Sequence, residues 1–410
     1  MYFCFFIHDG LRRNLFLSLA RKAIEKKIDF SFFCYSLAEY NWFRLHGISS
    51  CNIQIVHQNK PGNIVESLDK TIDLAAKFLT IESASIIYHS TQAALKKLDD
   101  INKEIYIFAG NGLHAFDKAI SVYKKSRDNV YTSFSELANI DGKVFFDSTG
   151  SNASSYFFKL VHSSDFSFPE YDSESLNKWK ENYYLNKLKN HAVKQSPKKN
   201  LRKAIFHRFI GCLEYLLRIP SYQRFKIDEL VTRRKQVDKK LYAEDWIKHT
   251  DDISSMRSYV LFPLQVFGDS QIKLHSSLDV EQAIVRVCDL ANKEGIELVV
   301  KPHPAEPNWT SLEKIIEAKN KYGFKISSNN TFELIMNSSK VIVINSTVGL
   351  EAIICGKSVE FLGKSFYAKF TDDKVLNFYI NHWLVDIDMF KESVIDDKIL
   401  NQILNNAKKF

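Results

Sequence analysis

Three short stretches of this chain hold residues whose types and spacing could do chemistry. The first is Lys301-Pro302-His303-Pro304, a cation and an imidazole each followed by a proline. Proline neither donates to a strand ladder nor continues a helix. The pair therefore sits where the apolar strand expected over Ile296–Val300 ends, on the edge where open parallel sheets bind ligands. A rigidly held cation beside an imidazole suits a phosphate, although KPHP on its own also reads as a strand-end turn with solvated charges. The second stretch is Asn345-Ser346-Thr347-Val-Gly349-Leu-Glu351, small polar residues between a buried strand and a helix. Free backbone N–H groups and the helix dipole favour an anion at such a place. The two hydroxyls add donors, and Gly349 offers no side chain to obstruct a ligand. An ordinary helix N-cap by Ser346 or Thr347 is the plainer alternative. In the third stretch, Gln265-Val-Phe-Gly268-Asp269-Ser270 followed by His275, a glycine turn presents a carboxylate. Beside an anomeric carbon, Asp269 could act as a nucleophile or stabilise oxocarbenium charge. A lone Asp after Gly is otherwise a turn residue, and His275 alone a structural histidine. Two anion-friendly strand ends in one domain reinforce each other and favour a phosphate site.

Other chemistries lack their signatures. There is no Walker loop, GxGxxG, GxSxG or HExxH, and no clear DxD to bring a metal to a nucleotide diphosphate. The six cysteines (Cys4, Cys34, Cys51, Cys212, Cys288 and Cys355) are far apart, with no CxxC. Disulfides and a zinc site are not expected, and a reducing cytoplasm is the simplest home. No cofactor and no metal are expected.

The elements that must position these residues follow a β-then-α rhythm. In the N-terminal third the expected strands are Tyr2–Ile7, Phe30–Tyr35, Ile53–Val56, Ser85–Tyr88 and Ile105–Ala109. Helices are expected over Leu15–Lys27, Ile64–Leu79 and His114–Lys124. From Tyr259 the rhythm resumes with strands at Tyr259–Pro263, Ile296–Val300, Val341–Ile344 and Val359–Leu362. The helices there are Val280–Lys293, closed by Gly295, Trp309–Lys321 with a capping box Thr310-x-x-Glu313, and Val348–Cys355. This alternation predicts an α/β fold with two parallel, doubly wound sheets. The expected organisation is an N-terminal α/β domain over 1–160, a basic, largely helical connector over 161–255, a ligand-binding α/β domain over 256–375 and a helical tail over 376–410.

Of the formal charge, one segment holds nearly everything. The chain carries +8, while Val193–Tyr242 alone has fourteen Lys and Arg against four Asp and Glu, a net +10. Within it Ala204–Leu217 has helical apolar spacing with basic flanks. It reads either as an interdomain helix packing its apolar face or as a surface docking on anionic lipid heads. Nucleic acid is not an expected partner, because no nucleic-acid motif accompanies the charge. No run of about 18 apolar residues is present, so no membrane span is expected. The N-terminal apolar stretch is too short for a signal peptide, and its charges follow rather than precede it.

Taken together, LQVFGDSQIKLHSS, VVKPHP and VIVINSTVGLEAII followed by GKSVEFLGKSFY resemble, in order and spacing across Tyr259–Tyr367, the capsule-polysaccharide β-Kdo transferases of Gram-negative bacteria in their short, single-module form. Ser135-Glu136 with the downstream Asp147-x-x-Gly150-x-Asn152 is similar to that family's acidic motif. Leu137-Ala138 and Ile140-Asp141 stand where the family has Gly-aromatic and Arg-Pro. The resemblance implies a GT-B-like enzyme, with two Rossmann-like domains facing a cleft and the basic helical segment between them. It implies transfer of Kdo from CMP-Kdo, with retention, to a lipid-linked glycan acceptor at the inner face of the cytoplasmic membrane. It further implies Asp269 as nucleophile and Glu136 as activator of the acceptor hydroxyl. Lys301, His303, Asn345, Ser346, Thr347, Gly349 and Glu351 would hold the nucleotide phosphate, and Gln265, Ser270 and His275 would position the sugar. Partners would be the CMP-activated sugar, the glycolipid acceptor, an anionic membrane surface met through 193–242, and other capsule biosynthesis or export proteins. A single phosphate needs no metal when a Lys, a His and a helix N-terminus meet it. The alternatives are a transferase using another nucleotide sugar (CMP-sialic acid or a UDP-hexose) and a non-catalytic capsule assembly or export factor with a degenerate transferase fold.

Overall fold

The computed structural model describes residues 1–60, 62, 68–189, 210–222, 225, 248–256, 258–306 and 309–409. Its strands are β1 (Tyr2–Ile7), β2 (Asp29–Cys34), β3 (Ile53–Ile55), β4 (Ile105–Ala109), β5 (Val130–Leu137) and β6 (Lys143–Asp147). They continue with β7 (Val260–Pro263), β8 (Leu298–Lys301), β9 (Lys325–Ile326), β10 (Lys340–Val343), β11 (Ser358–Phe361) and β12 (Val385–Asp386). They form two sheets in two compact units. One unit gathers the described residues of Met1–Leu160, Lys199–Arg234 and Tyr379–Phe410. The other gathers those of Val161–Lys198 and Lys235–Phe378.

In the first unit the seven strands lie in the order β12-β6-β5-β4-β1-β2-β3. β1 to β5 are mutually parallel where they pair, and β6 runs antiparallel to both of its neighbours. YFCFFI and DFSFFC are nearly continuous apolar runs, as expected for strands covered on both faces. Alternate residues serve the two sides. Phe5 stacks on Phe32 at 4.7 Å and on Phe108 at 5.2 Å on one face, while Phe6 stacks on Phe33 at 4.7 Å on the other. The chain runs outward from β1 through β2 to β3, then returns to place β4 on the other side of β1. This reversal opens a crevice above the carboxyl ends of β1 and β4.

The second unit repeats the plan with five parallel strands, β11-β10-β7-β8-β9. Val260 and Phe262 pack on one face with Ile284, Val287 and Ala291 of the helix Val280–Glu294. Tyr259 and Leu261 pack on the other face with Leu334 and Val343. That helix begins at a reciprocal Asp279/Gln282 capping box and ends at Gly295, whose φ of 66° few other residues adopt readily. The reversal of strand order falls between β7 and β10.

Several expectations are corrected. Ser85–Tyr88 is not a strand but part of the helix Ile81–Leu95, which is buried nearly all round and so shows little helical periodicity. Its Ser90 and Thr91 hydroxyls bond back to the carbonyls of Ile86 and Ile87, which lets polar residues sit inside it. Of the helix expected over Ile64–Leu79 only Ile72–Ala75 forms among the described residues, and 63–67 lie outside them. Thr310 lies inside the helix Trp309–Tyr322 rather than ahead of it, so it is no N-cap. β5, β6, β9 and β12 were not expected. β5 is interrupted by Ser and Thr, and β9 and β12 are two residues each. The tail 376–410 is not purely helical. β12 closes the edge of β6, and the helix Asp397–Lys408 places Leu400, Ile403, Leu404 and Ala407 in the same core as β1. Their spacing of three and four residues gives one apolar stripe that covers the sheet.

The basic segment 193–242 lies largely outside the described residues. At its described part, residues 210–216 are helical, Glu214 is buried, and Tyr215, Leu216 and Leu217 are exposed. Among the described residues no helix is long and apolar enough to cross a membrane.

Candidate functional site

At the β7–β10 reversal the chain builds a closed chain of hydrogen bonds. Gln265 follows β7 and is buried, and its Nε2 donates to both Asp269 Oδ2 and Asn345 Oδ1 at 3.0 Å. Its Oε1 accepts the Asn345 backbone N–H at 3.2 Å, and Asn345 Nδ2 donates to the Gln271 carbonyl at 2.9 Å. Both amide orientations are thus fixed by main-chain atoms that cannot exchange donor for acceptor. Asp269 is fixed as well. Its N–H donates to the Val266 carbonyl at 2.9 Å across the Gly268 turn, and its Oδ1 accepts the Gln271 N–H at 2.8 Å as the N-cap of the helix Ser270–His275. The bland reading (a turn residue and helix cap) is correct for one carboxylate oxygen. The other oxygen is held by the residue that also locks β10.

His303 and Lys301 stand at the end of β8, next to β7. The Ala305 N–H donates to His303 Nδ1 at 3.1 Å, so the neutral ring carries its proton on Nε2. Burial lowers the His303 pKa, while the carboxylates of Asp269 and Glu306 act against that shift. Burial also lowers Lys301, whose ammonium donates to the Asn329 carbonyl at 2.6 Å. Glu306, which the sequence reading missed, accepts the Phe267 N–H on Oε2 at 2.8 Å. The available signal was its place three residues past His303 on the same proline-stiffened turn. Three buried polar atoms around this edge have no partner among the described residues: Glu306 Oε1, Gln271 Oε1 and His275 Nε2. Buried polar groups are nearly always satisfied, so each such vacancy asks for a ligand or water.

The remaining expected residues divide. Ser346 caps the helix Thr347–Ile354, its hydroxyl accepting the Val348 N–H at 3.2 Å, and Thr347 is the first helical residue. Gly349 does not leave room for a ligand. A Cβ there would lie 2.5 Å from the Phe361 ring and 2.9 Å from Val343 Cγ2, so its missing side chain lets the helix pack on β10 and β11. Glu351, one turn beyond Thr347, is pushed up to about 7 by burial, with Lys187 pulling the other way. Ser270 opens the helix capped by Asp269. His275 is lowered by burial and then by the nearby Lys364 charge.

Glu136 lies in the first unit, on β5, with Oε2 3.9 Å from the Arg12 guanidinium. It stands at one end of a network at the β1–β4 reversal that the sequence reading did not identify. Arg12 donates to the Ser135 carbonyl at 2.7 Å and to Asp9 Oδ2 at 3.3 Å, and Asp9 lies 3.2 Å from His8 Nε2. The His8 ring is 4.7 Å from that of His114, whose Nδ1 bonds Asp73 Oδ1 at 2.8 Å. Asp73 also accepts the Ala115 N–H and the Tyr222 hydroxyl. Burial keeps His8 neutral, pushing it down to about 3. Burial works against protonation of His114 too, but the Asp73 carboxylate outweighs it and raises that ring's pKa. The signals were present: His8-Asp9 directly follows β1, and Gly110-Asn-Gly112 runs into His114. Gly112 (φ 81°) also permits close packing, since a Cβ there would lie 2.5 Å from Gly150 Cα. Gly150 belongs to the Asp147–Asn152 turn, which buried Asp147 organises by accepting four backbone N–H groups.

The family model described as capsule polysaccharide biosynthesis protein matches residues 180–393, just over half of the 410. Among curated proteins, Protein FixF of Sinorhizobium fredii is 36% identical over 112 residues, which is 27% of this chain and 27% of that one. Capsule polysaccharide export protein KpsS of Escherichia coli is 31% identical over 120 residues, 27% of this chain and 31% of that protein. The match thus spans less than a third of the length of either relative. Among solved structures, the Thermosulfurimonas dismutans KpsC β-Kdo 2,7 transferase is 15% identical with a TM-score of 0.39, over 83% of this chain and 80% of that one.

Proposed function

The chain belongs to the capsule polysaccharide biosynthesis protein family, and from that premise we propose that it is a retaining glycosyltransferase moving Kdo from CMP-Kdo to a lipid-linked glycan acceptor. The observation that carries the reading is the hydrogen-bond chain through Gln265, which holds Asp269 Oδ2 at the β7–β10 reversal beside His303 and Lys301. In the first step an Asp269 carboxylate oxygen bonds to the anomeric carbon of Kdo as the carbon–phosphate oxygen bond breaks. CMP departs with the electron pair, and His303 Nε2–H, Lys301 and the N–H groups opening the helix Thr347–Ile354 meet its charge. In the second step the acceptor oxygen bonds to the same carbon, the Asp269 carboxylate leaves with its pair, and the hydroxyl proton passes to a base. Two inversions give net retention.

The test is transfer from CMP-Kdo, generated in situ, to a synthetic glycolipid, with the product and the intact protein followed by mass spectrometry beside a panel of CMP- and UDP-sugars. Product with CMP-Kdo alone, and an adduct on the peptide carrying Asp269, are expected. Release from UDP-sugars but not from CMP-Kdo sinks the donor assignment. Asp269→Ala loses a helix cap worth about 1 kcal/mol, so CMP binding is measured alongside. A variant that binds CMP and transfers at the wild-type rate removes Asp269 from the role of nucleophile. The proposal includes docking of 193–242 on an anionic membrane face. Binding to anionic liposomes should then weaken with salt, because exposed charges are screened beyond about 8 Å at 0.15 M.

A further inference from the structure

Glu306 is a half-buried acid that the proposed chemistry leaves unused. Its Oε2 accepts the Phe267 N–H at 2.8 Å, inside the turn that ends at Asp269. Its backbone N–H donates to the His303 carbonyl at 3.0 Å, so the acid also closes the turn holding the imidazole. One residue therefore ties the loop after β7 to the loop after β8. Its other oxygen, Oε1, is buried with no partner among the described residues. A carboxylate oxygen sealed from water without a donor is an unfavourable arrangement unless something fills the vacancy. No backbone N–H or side-chain donor among the described residues does so.

We propose that Glu306 is a positioning residue that sets the register between His303 and the Asp269 turn, and that its free carboxylate oxygen receives an O–H or N–H of the bound sugar nucleotide. The proposal rests on the donor reading above but extends it to a residue that reading does not use. A neutral polyol or amino group fits the vacancy, whereas a phosphate oxygen does not, because two acceptors would face each other. Three charged groups act on the His303 ring: Asp269 at the N-cap of the helix Ser270–His275, Lys301 at the end of β8, and Glu306 on its own turn. Asp269 and Glu306 favour the imidazolium, and Lys301 opposes it.

Glu306→Gln tests this, because the amide oxygen keeps the Phe267 bond while the charge disappears. The His303 signal is assigned by its absence from the His303→Gln spectrum and titrated by NMR in wild type, Glu306→Gln and Glu306→Asp. CMP and CMP-Kdo binding are measured on the same proteins. In Glu306→Gln the His303 pKa should fall, with recovery in Glu306→Asp, and CMP-Kdo should bind about tenfold more weakly. An unchanged His303 titration overturns the positioning role whatever happens to binding. A lowered titration with unchanged affinity for both ligands overturns the contact to the nucleotide sugar and leaves the positioning role standing. If wild type binds neither ligand while the His303 shift appears, the donor reading fails and the coupling stands.

Discussion

Gln265→Glu perturbs the site at its narrowest point. In the wild type one NH2 group serves two acceptors, Asp269 Oδ2 and Asn345 Oδ1, each at 3.0 Å. Neither acceptor can turn away. Asn345 is fixed by the Gln271 carbonyl, and Asp269 by the Gln271 N–H. The substitution leaves Oε1 to accept the Asn345 N–H and replaces the donor with a third acceptor. If the new carboxyl is charged, it lies about 4 Å from the Asp269 charge, which costs about 4 kcal/mol at an effective dielectric near 20. The two lost hydrogen bonds add about 1 kcal/mol each. If instead it holds a proton at pH 7, the cost is about 1.4 kcal/mol per pH unit above its unfolded value of ~4.3. The charged route sums to about 6 kcal/mol and the protonated route to about 4 kcal/mol at pH 7, so the cheaper protonated form sets a deficit of about 4 kcal/mol. The sign with pH follows by linkage. The like charge raises the folded pKa of the introduced carboxyl, so the variant comes closest to wild type below ~pH 4.3 and loses ground by about 1.4 kcal/mol per unit as pH rises through the raised value. Urea unfolding at pH 5, 6 and 7, with hydrogen exchange of a peptide spanning 341–355 as the local probe, reads this directly. Gln265→Met, which loses the bonds without adding a charge, should show a flat deficit. A Gln265→Glu protein within 1 kcal/mol of wild type at pH 7, or one whose deficit ignores pH, refutes the donor geometry assigned to Gln265.

Two further outcomes are expected. Gly349→Ala should cost about 1–3 kcal/mol by overpacking against Phe361, measured as a lowered thermal midpoint. Phe361→Leu added to it should recover part of the loss, and a neutral Gly349→Ala would show that the helix stands off the sheet. Asp73→Asn removes the charge that raises His114 and should lower the ring's pKa in an NMR titration. A raised histidine contributes stability below its unfolded pKa of ~6.5 and loses it as pH rises through the folded value. The variant's deficit, about 3–5 kcal/mol, should therefore be larger at pH 6 than at pH 9, and equal deficits would assign Asp73 a purely structural role.

What the sequence displayed was whatever follows from local pattern. The apolar runs of β1, β2 and β4, the Asp279/Gln282 box and the Gly295 stop are each written in a few adjacent residues. The strand-end positions of His303 and Asn345 were legible for the same reason, since a short apolar run must stop where polar residues and prolines begin. Contacts made between distant segments were not legible. Gln265 and Asn345 are 80 residues apart, and nothing local says that one amide will close on the other. Gly349 shows the opposite error. A glycine after a strand suggested space for a ligand, but the space belongs to Phe361. Glu306 and the His8–Asp9 pair were overlooked because neither sits in a stretch that is unusual by itself. Their partners make them notable, Phe267 for Glu306 and Arg12 for Asp9, and such pairings are a tertiary property.

The two strand-order reversals carry acids of opposite character, and the contrast argues for which acid reacts. At the β1–β4 reversal two carboxylates are matched to cations: Asp9 to Arg12, and Asp73 to a His114 whose pKa it raises. A carboxylate in such a pair has much of its electron density committed, and neutralising it on a sugar carbon would strand a buried positive charge. Asp269 differs. No ion pair among the described residues includes it, and its hydrogen bonds come from a backbone N–H and a neutral amide. Those donors orient the two oxygens without opposing the loss of charge that forming an ester to the sugar requires. If Oδ2 is esterified, the Oδ1 carbonyl still accepts the Gln271 N–H and Gln265 Nε2 keeps Asn345 Oδ1 as an acceptor. A nucleophile that must form and then release a covalent bond needs an environment that tolerates both charge states. By that criterion Asp269 is suited to the part and the ion-paired Asp9 and Asp73 are not. Trapping the adduct on the Asp269 peptide is the measurement that decides it, and an adduct on Asp9 or Asp73 would overturn the reasoning.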